Sequence, residues 1–168
     1  MKYEFTGQTK TVNGVKVRQI KRISDGLIGG WIESEKNLDQ NGDCFIYDNA
    51  FVSGYAWVSG NASVSGYAWV SGYAWVSGNA SVSGYAWVSG NASVFDNARV
   101  YGNASVFGNA WVSGNASVSG YASVYGDALV YGKARVYDYA SVSGYASVYD
   151  YASVSGYARV SGYDVITD

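Results

Sequence analysis

A unit of six residues repeats without a gap from Ile46 to Val160, and this period limits the possible folds more than any other feature of the chain. Each unit contains an aliphatic residue, Ser or an aromatic residue, Gly or Asp, a variable residue, Ala, and a second variable residue. The aliphatic residue is Val from Val52 onwards, and Ala recurs from Ala50 to Ala158. Self-similarity at a short fixed period predicts a solenoid of stacked coils.

The order of residues within a unit predicts a short strand followed by a turn. Ala and the Val two positions later project to the same side of an extended strand, and the residue between them projects to the opposite side. We therefore expect Ala and Val to form the core, and the intervening residues, such as Trp69, Ser81 and Arg99, to face solvent. The Gly, Asn or Asp residues that follow tolerate the backbone angles that a turn requires.

The variable positions sort into columns with a period of 18 residues, which predicts three sides per coil. A column is a set of residues that lie 18 positions apart. At the position before Ala, one column contains mostly amides and the other two contain mostly Tyr. At the position after Ala, Trp occurs in two columns and is absent from the third. The expected fold is all-β, a single-stranded parallel β-helix with three sides and with coils ~4.8 Å apart. The amide column contains Asn61, Asn79, Asn97 and Asn115, and the Trp columns contain Trp57, Trp75 and Trp111, and Trp69 and Trp87.

Residues 1–27 are expected to form an N-terminal β cap. Asn13 and Gly14 lie between alternating residues, which is a signal for a β-hairpin. A solenoid needs such a cap because its first coil otherwise presents an open strand edge. The regular repeat then occupies residues 46–163, and residues 164–168 form a C-terminal tail.

Residues 28–45 are expected to form an irregular first coil. Ile28 lies 18 residues before Ile46, and Ile32, Leu38 and Cys44 lie 18 residues before alanines of the next coil. We therefore expect these three residues to take the place that Ala takes later. Cys44 is then a small buried apolar residue, since the chain contains no His to activate its thiol.

The repeat resembles that of known β-solenoid proteins. Units such as VSGNAS and VYGNAS are similar to the hexapeptide repeat of left-handed β-helix proteins, a fold shared by many trimeric acyltransferases. The whole chain, including KYEFTGQTK, GGWIESEKNL and GDCFIYDNA, resembles the YdcK-like β-solenoid family of bacteria and phages, whose members often carry a provisional transferase label. The resemblance implies a left-handed coil, although strand crossovers are normally right-handed.

The residues themselves argue against a transferase. Acyltransferases of this fold typically use His as general base, and the chain has no His. The carboxylates Asp48, Asp96, Asp138 and Asp150 all stand in the Gly position of a turn, where Asp serves the backbone conformation. No insertion interrupts the repeat to form a substrate loop. We therefore expect no catalytic residue, no metal site and no cofactor.

Charge and hydropathy indicate few classes of partner. The net charge is -2, which gives no whole-chain attraction to nucleic acid or to anionic membranes. Seven of the 11 basic residues lie between Lys2 and Lys36, which we interpret as a solvated surface. The N-terminus lacks an apolar signal core, and no segment approaches the ~18 apolar residues of a membrane span. The expectation is a cytoplasmic or phage-encoded protein without a signal peptide, a membrane contact or a nucleic-acid partner.

Aromatic and amide columns are the conspicuous features of the expected surface. Rows of outward rings suit a glycan or the apolar surface of a partner protein, but stacked rings also stabilise one another by roughly 0.5–1.5 kcal/mol per pair. The Asn column predicts a ladder of amide hydrogen bonds along the axis, although Asn also tolerates left-handed turn angles. The binding rows would contain Trp57, Trp75, Trp111, Trp69 and Trp87, and the ladder Asn61, Asn79, Asn97 and Asn115.

The function that we expect from the sequence is a rigid, non-catalytic scaffold. The alternatives are a binding module that uses the aromatic rows for a protein or glycan, a filament that self-associates through its C-terminal coil, and, least favoured, an acyltransferase-like enzyme. Asp164 bears on the filament alternative because it stands in the column of Ala56 and Ala146. A carboxylate directed at the core axis would disfavour a further coil, so we expect Asp164 to act as a gatekeeper.

Overall fold

A computed structural model describes residues 1–167. Its strands form three sheets that make the three sides of a parallel β-solenoid, which confirms the all-β fold class and the 18-residue coil. Within the described residues there is no α-helix, and one 3-10 turn spans Glu35–Asn37. We call each six-residue segment of a coil a rung of its sheet.

The first sheet has ten strands and includes the N-terminal hairpin. Its β1 and β2 are antiparallel, β2 pairs antiparallel with β3, and every later pair is parallel. In spatial order the strands are β1 Tyr3–Val12, β2 Val15–Arg22, β3 Ile28–Ile32, β5 Phe51–Val52, β8 Trp69–Val70, β11 Trp87–Val88, β14 Ser105–Val106, β17 Ser123–Val124, β20 Ser141–Val142 and β23 Arg159–Val160.

The second and third sheets are purely parallel and have seven strands each. The second sheet contains β4 Phe45–Ile46, β7 Ser63–Val64, β10 Ser81–Val82, β13 Arg99–Val100, β16 Ser117–Val118, β19 Arg135–Val136 and β22 Ser153–Val154. The third sheet contains β6 Trp57–Val58, β9 Trp75–Val76, β12 Ser93–Val94, β15 Trp111–Val112, β18 Leu129–Val130, β21 Ser147–Val148 and β24 Val165–Ile166.

The core is a stack of Val and Ala residues along the axis. Val82 pairs with Val64 on one side and with Val100 on the other, so residues 18 apart are neighbours as predicted. Backbone bonds also join the coils outside the short strands; for example, Tyr67 donates its N–H to the carbonyl of Gly84 at 2.8 Å. Small side chains fit this core because each coil encloses only three Ala–Val pairs, so stability depends on stacking against neighbouring coils.

The turns explain the Asp residues in the Gly position. Asp48, Asp96, Asp138 and Asp150 all have positive φ, between 54° and 60°, as the backbone interpretation predicts. Three of these carboxylates also accept the N–H of the glycine one coil later: Gly66 at 2.9 Å, and Gly114 and Gly156 at 3.1 Å. These Asp side chains therefore hold neighbouring turns together.

The N-terminal hairpin covers the first coil. Its turn lies at Asn13 and Gly14, which have φ of 48° and 80°, as the Asn–Gly step predicts. Tyr3, Val17 and Ile20 are buried, and Tyr3 and Ile20 belong to the cluster that contains the solenoid core. The open edge of the first coil is thus partly shielded by packed β structure.

The predicted phase of the first coil is wrong at three positions. Ile32 pairs with Val52, and Leu38 bridges to Val58, so both occupy the place of Val rather than that of Ala. Ile28 pairs with Lys21 in antiparallel register and is 52 % exposed. The offset is two residues because the loop between Leu38 and Cys44 is two residues longer than the segment between Val58 and Ala62. Bulky Ile and Leu side chains would also overfill an Ala place.

Cys44 alone keeps the predicted place of Ala. It immediately precedes Phe45, which pairs with Ser63, just as Ala62 precedes Ser63. Its side chain is fully buried, as expected for a small apolar residue.

The orientation predicted for Asp164 is also wrong. The residue is exposed, and its carboxylate turns back to accept the N–H of Ser161 at 3.2 Å. One coil earlier, Ser143 donates the equivalent N–H to the carbonyl of Val160 at 2.9 Å. Asp164 therefore supplies the acceptor that a following coil would otherwise provide, instead of placing a charge on the core axis.

Candidate functional site

The Trp rows are present, but only two pairs stack. The rings of Trp57 and Trp75 lie 6.0 Å apart and are inclined by 7°, and those of Trp69 and Trp87 lie 5.6 Å apart at 21°. Trp111 does not extend its row, because Ser93 occupies the rung between it and Trp75. Trp111 instead meets the edge of Phe95 at 5.7 Å and 83°.

Hydrogen bonds to serine fix the stacked tryptophans. Trp69 donates its Nε1–H to Ser53 and Trp75 donates to Ser59, both at 3.2 Å, in the turn one coil earlier. Trp87 makes the equivalent contact with Ser71 at 3.5 Å. Sequence reasoning missed these Trp–Ser hydrogen bonds, although the spacing of sixteen residues was present. At least part of the Trp pattern therefore serves the scaffold itself.

Tyrosine rows cover more of the surface than the Trp rows do. Neighbouring rings stack with nearly parallel planes and with centroids 4.9 to 5.1 Å apart, and most of these tyrosines are exposed. Sequence reasoning found the Tyr columns but assigned only Trp residues to the candidate binding rows. In the position before Ala or Asp164, the stacked pairs are Tyr55–Tyr73, Tyr67–Tyr85, Tyr121–Tyr139, Tyr139–Tyr157 and Tyr145–Tyr163.

The Asn ladder exists over part of its predicted length. Asn61 donates to Asn79 and Asn79 donates to Asn97, each at 3.1 Å. In the part of the chain that the structure describes, no such bond joins Asn97 to Asn115. A second ladder, missed by sequence reasoning, runs from Asn91 through Asn109 to Asp127 with two bonds of 2.9 Å, and its 18-residue spacing was the available signal.

The one cysteine of the chain contacts the N-terminal cap. Cys44 is buried, and the amine of Lys2 donates to its Sγ at 3.0 Å. Residues 1–167 contain no cluster of three His, Cys, Asp or Glu side chains that could hold a metal ion. They also contain no helix that is long and apolar enough to cross a membrane.

The shifted pKa values lie mainly in the N-terminal cap. Burial, with a smaller contribution from Glu35, raises the pKa of Tyr3 to about 12. The Tyr3 hydroxyl donates to the carbonyl of Leu38 at 3.2 Å, so it ties the cap to the first coil. Hydrogen bonding to Arg22 lowers the pKa of Asp25 to about 2, which marks a surface ion pair rather than an acid or base for catalysis.

A groove on the second sheet brings together residues that sequence reasoning had not connected. Its volume is about 460 Å³. We call it the Arg–Tyr groove, and it has a floor of small polar side chains between two walls of Arg and Tyr. The walls contain Arg99 and Tyr101, and Arg135 and Tyr137; the floor contains Asn115, Ser117 and Ser119.

A second groove, of about 610 Å³, lies on the first sheet. It has Tyr125 on one side and Arg159 on the other, above Ser141 and Ser143. Hydrogen bonds with these two serines lower the pKa of Tyr125 and hold its hydroxyl against the floor. Phe107 and Tyr139 also line this groove, and Ser161 stands in the turn position two coils after Tyr125.

Comparison with known proteins agrees with the coil geometry. A family model described as the YdcK β-solenoid repeat matches residues 45–60 and 98–114. Both segments lie within the stacked coils of the structure. A search of curated proteins finds no match for the chain. Together, the repeat match and the three parallel sheets show that the chain contains β-solenoid repeats of the YdcK type.

Proposed function

We propose that the protein is a rigid, non-catalytic structural module that holds its two ends at a fixed separation. The observation that carries this proposal is the unbroken pairing of coils along all three sides, from Phe45 to Ile166, with no inserted loop. Every coil bonds to the next through its strands and through its turns. Such a ladder resists bending because displacement of one coil would break bonds on more than one side.

The arrangement of reactive side chains supports a role without catalysis. A general base has to lie within hydrogen-bond reach of the group that it deprotonates, usually in a pocket. The turn carboxylates Asp48, Asp96 and Asp138 are instead occupied by backbone N–H groups of the next coil. These groups already have a structural partner, so their presence requires no catalytic explanation.

The aromatic rows favour a second candidate, a binding module for a glycan or a protein. Trp57 and Trp75 stack with nearly parallel rings and are 42 % and 44 % exposed. Stacked, half-exposed rings can present a row of apolar ring edges to a sugar ring or to a partner side chain. We rank this candidate second because the Nε1–H of Trp75 is already bonded to Ser59.

Glycan and peptide arrays separate the two candidates. The intact protein is compared with the double variant Trp57→Ser and Trp75→Ser, after thermal unfolding confirms that both are folded. The structural proposal expects no saturable array signal that depends on the two tryptophans. A saturable signal that the double variant loses, and that a Tyr121→Ser control on another row retains, would replace the structural proposal with the binding module.

A further inference from the structure

The Arg–Tyr groove arises where one rung with small side chains lies between two rungs with large ones. Residues 97–102 read NARVYG, residues 115–120 read NASVSG, and residues 133–138 read KARVYD. Ser117 pairs with Arg99 on one side and with Arg135 on the other, so the three rungs are consecutive. The two walls are thus nearly identical in sequence and face each other across a floor of Asn115, Ser117 and Ser119.

The distance between the two walls leaves room for one aromatic ring stacked between them. Elsewhere in this turn position, rings one coil apart stack in parallel: Phe107 and Tyr125 lie 4.9 Å apart at 2°, and Tyr131 and Tyr149 lie 4.9 Å apart at 11°. Tyr101 and Tyr137 are two coils apart, roughly 9.6 Å. Ser119 takes the intermediate position, which leaves a gap that one further ring would fill with a stacking contact on each face.

The same groove carries unneutralised positive charge. Arg99 and Arg135 are exposed, and neither forms an ion pair with another described residue. The guanidinium carbon of Arg99 lies 5.7 Å from the ring centroid of Tyr101, so charge and ring are adjacent. The acid in the lining is Asp138, and its carboxylate already accepts the N–H of Gly156 at 3.1 Å. Two guanidinium groups above and below Ser117 can share one anion.

We propose that the Arg–Tyr groove binds a small planar aromatic acid. The ring of the ligand lies between Tyr101 and Tyr137, and its carboxylate or phosphate lies over Ser117 between Arg99 and Arg135. Asn115 borders the end of the groove that holds the anionic group, one rung beyond Asn97, where the Asn ladder stops. Free aromatic carboxylates and mononucleotides share this chemistry, and the groove has room for either.

Other gaps in the aromatic rows do not offer the same site. The gap at Ser93, between Trp75 and Trp111, receives Phe95, whose ring contacts Trp111 at 5.7 Å. The groove beside Tyr125 has Ser161 where a second aromatic wall would stand. The Arg–Tyr groove combines two rings, an open rung and two arginines, and this combination sets the ligand class.

Calorimetric titration of the full-length protein tests the proposal. The probes are 4-hydroxybenzoate and adenosine 5′-monophosphate, each a planar ring with an anionic group. Cyclohexanecarboxylate, an anion without a planar ring, and benzamide, a ring without a charge, are the controls. We expect saturable one-to-one binding of at least one probe and at least about tenfold weaker binding of both controls. The probe that binds more tightly shows whether the ligand belongs to the aromatic carboxylates or to the mononucleotides.

Matched variants locate the site. Ser119→Phe fills the gap with a ring in stacking register, and we expect it to abolish binding without loss of thermal stability. Ser83→Phe stacks on the opposite face of Tyr101, outside the groove, and we expect it to leave binding unchanged. Arg99→Gln and Arg135→Gln should each weaken binding about tenfold, since each removes one charged hydrogen-bond donor.

Several results would overturn the proposal. They are no saturable binding of either probe, equal binding of benzamide, or unchanged affinity in Ser119→Phe. If Ser119→Phe fails to fold, Arg99→Gln and Arg135→Gln test the proposal instead. Unchanged affinity in both variants would show that the two arginines do not bind the anionic group of the ligand.

Discussion

Single polar residues complete the hydrogen bonding of the irregular first coil. The buried Asn37 accepts the N–H of Ser34 at 2.8 Å and donates to the carbonyls of Gly54 at 3.0 Å and Ala56 at 2.8 Å. These carbonyls face a part of the coil that lacks a regular strand, so the side chain replaces backbone pairing. Sequence reasoning missed Asn37 because it lies outside the repeat, and no column of equivalent residues marks it.

Ionisation of Tyr3 is expected to lower the stability of the cap at alkaline pH. Its folded-state pKa is about 12, against an ordinary value of 10.0. Between these values the unfolded chain releases the phenolic proton and the folded chain keeps it, so this residue's contribution to stability is intact below pH 10 and falls as pH rises. The expected loss is about 1.4 kcal/mol per pH unit within this interval.

The Tyr3→Phe variant isolates that contribution. At neutral pH it should be less stable than the parent by about 1 kcal/mol, because the bond to the Leu38 carbonyl is lost. Urea unfolding at a series of pH values should show this difference shrinking above pH 10 and reversing sign before pH 12. A difference that stays constant with pH would contradict the burial of the Tyr3 hydroxyl.

At the scale of elements, the regular coils were predictable and the irregular ones were not. Ala and Val repeat strictly, so strand position, inward face and coil length follow from the period. The first coil departs from this because two extra residues lie between Leu38 and Ile46, and an 18-residue count cannot detect them. The Arg–Tyr groove was missed although its residues follow the 18-residue period, because the Arg and Tyr positions of three successive coils have to be considered together.

The turns predict a difference between inner and terminal glycines. Gly84 and Gly156 have φ of 71° and 65°, so an alanine at either position is strained by roughly 1–2 kcal/mol. A Cβ at Gly84 would also lie 2.9 Å from the carbonyl oxygen of Gly102, whereas nothing lies within 4 Å of one at Gly156.

Urea unfolding of the two alanine variants measures that difference. We expect Gly84→Ala to cost about 1–3 kcal/mol more than Gly156→Ala, because its methyl group forces two turns apart. Equal losses of stability would show that adjacent turns are not packed as closely as the structure has them.

At the scale of the whole molecule, the two ends of the solenoid differ. The N-terminal end is covered by the hairpin, whereas Ala158 and Val165 are exposed in the last coil. A Cβ added at Gly156 or Gly162 would meet no atom within 4 Å, in contrast to one at Gly144, which would press on the backbone of Gly162. An exposed edge of this kind can pair with a second chain.

Asp164 is expected to limit such association near neutral pH. Its carboxylate occupies the N–H of Ser161, which an added coil would need, and it keeps a charge at the exposed end. We therefore predict that Asp164→Ala increases assembly into longer particles, measured by light scattering and negative-stain microscopy. Asp127→Ala, which removes an exposed carboxylate from an inner coil, is the matched control. Fibres formed by the unmodified protein at neutral pH would favour the filament alternative instead.

The distance between spin labels along one side tests the rigid solenoid most directly. Cysteines replace Ser63 and Ser153, which lie five rungs apart on the second sheet, in a Cys44→Ala background. Double electron–electron resonance should give a narrow distribution with a backbone separation of about 24 Å. Deletion of residues 82–99 joins Ser81 to Val100 in phase and should shorten the separation by about 4.8 Å. A broad distribution, or a separation that the deletion leaves unchanged, would contradict a rigid rod whose length is set by its number of coils.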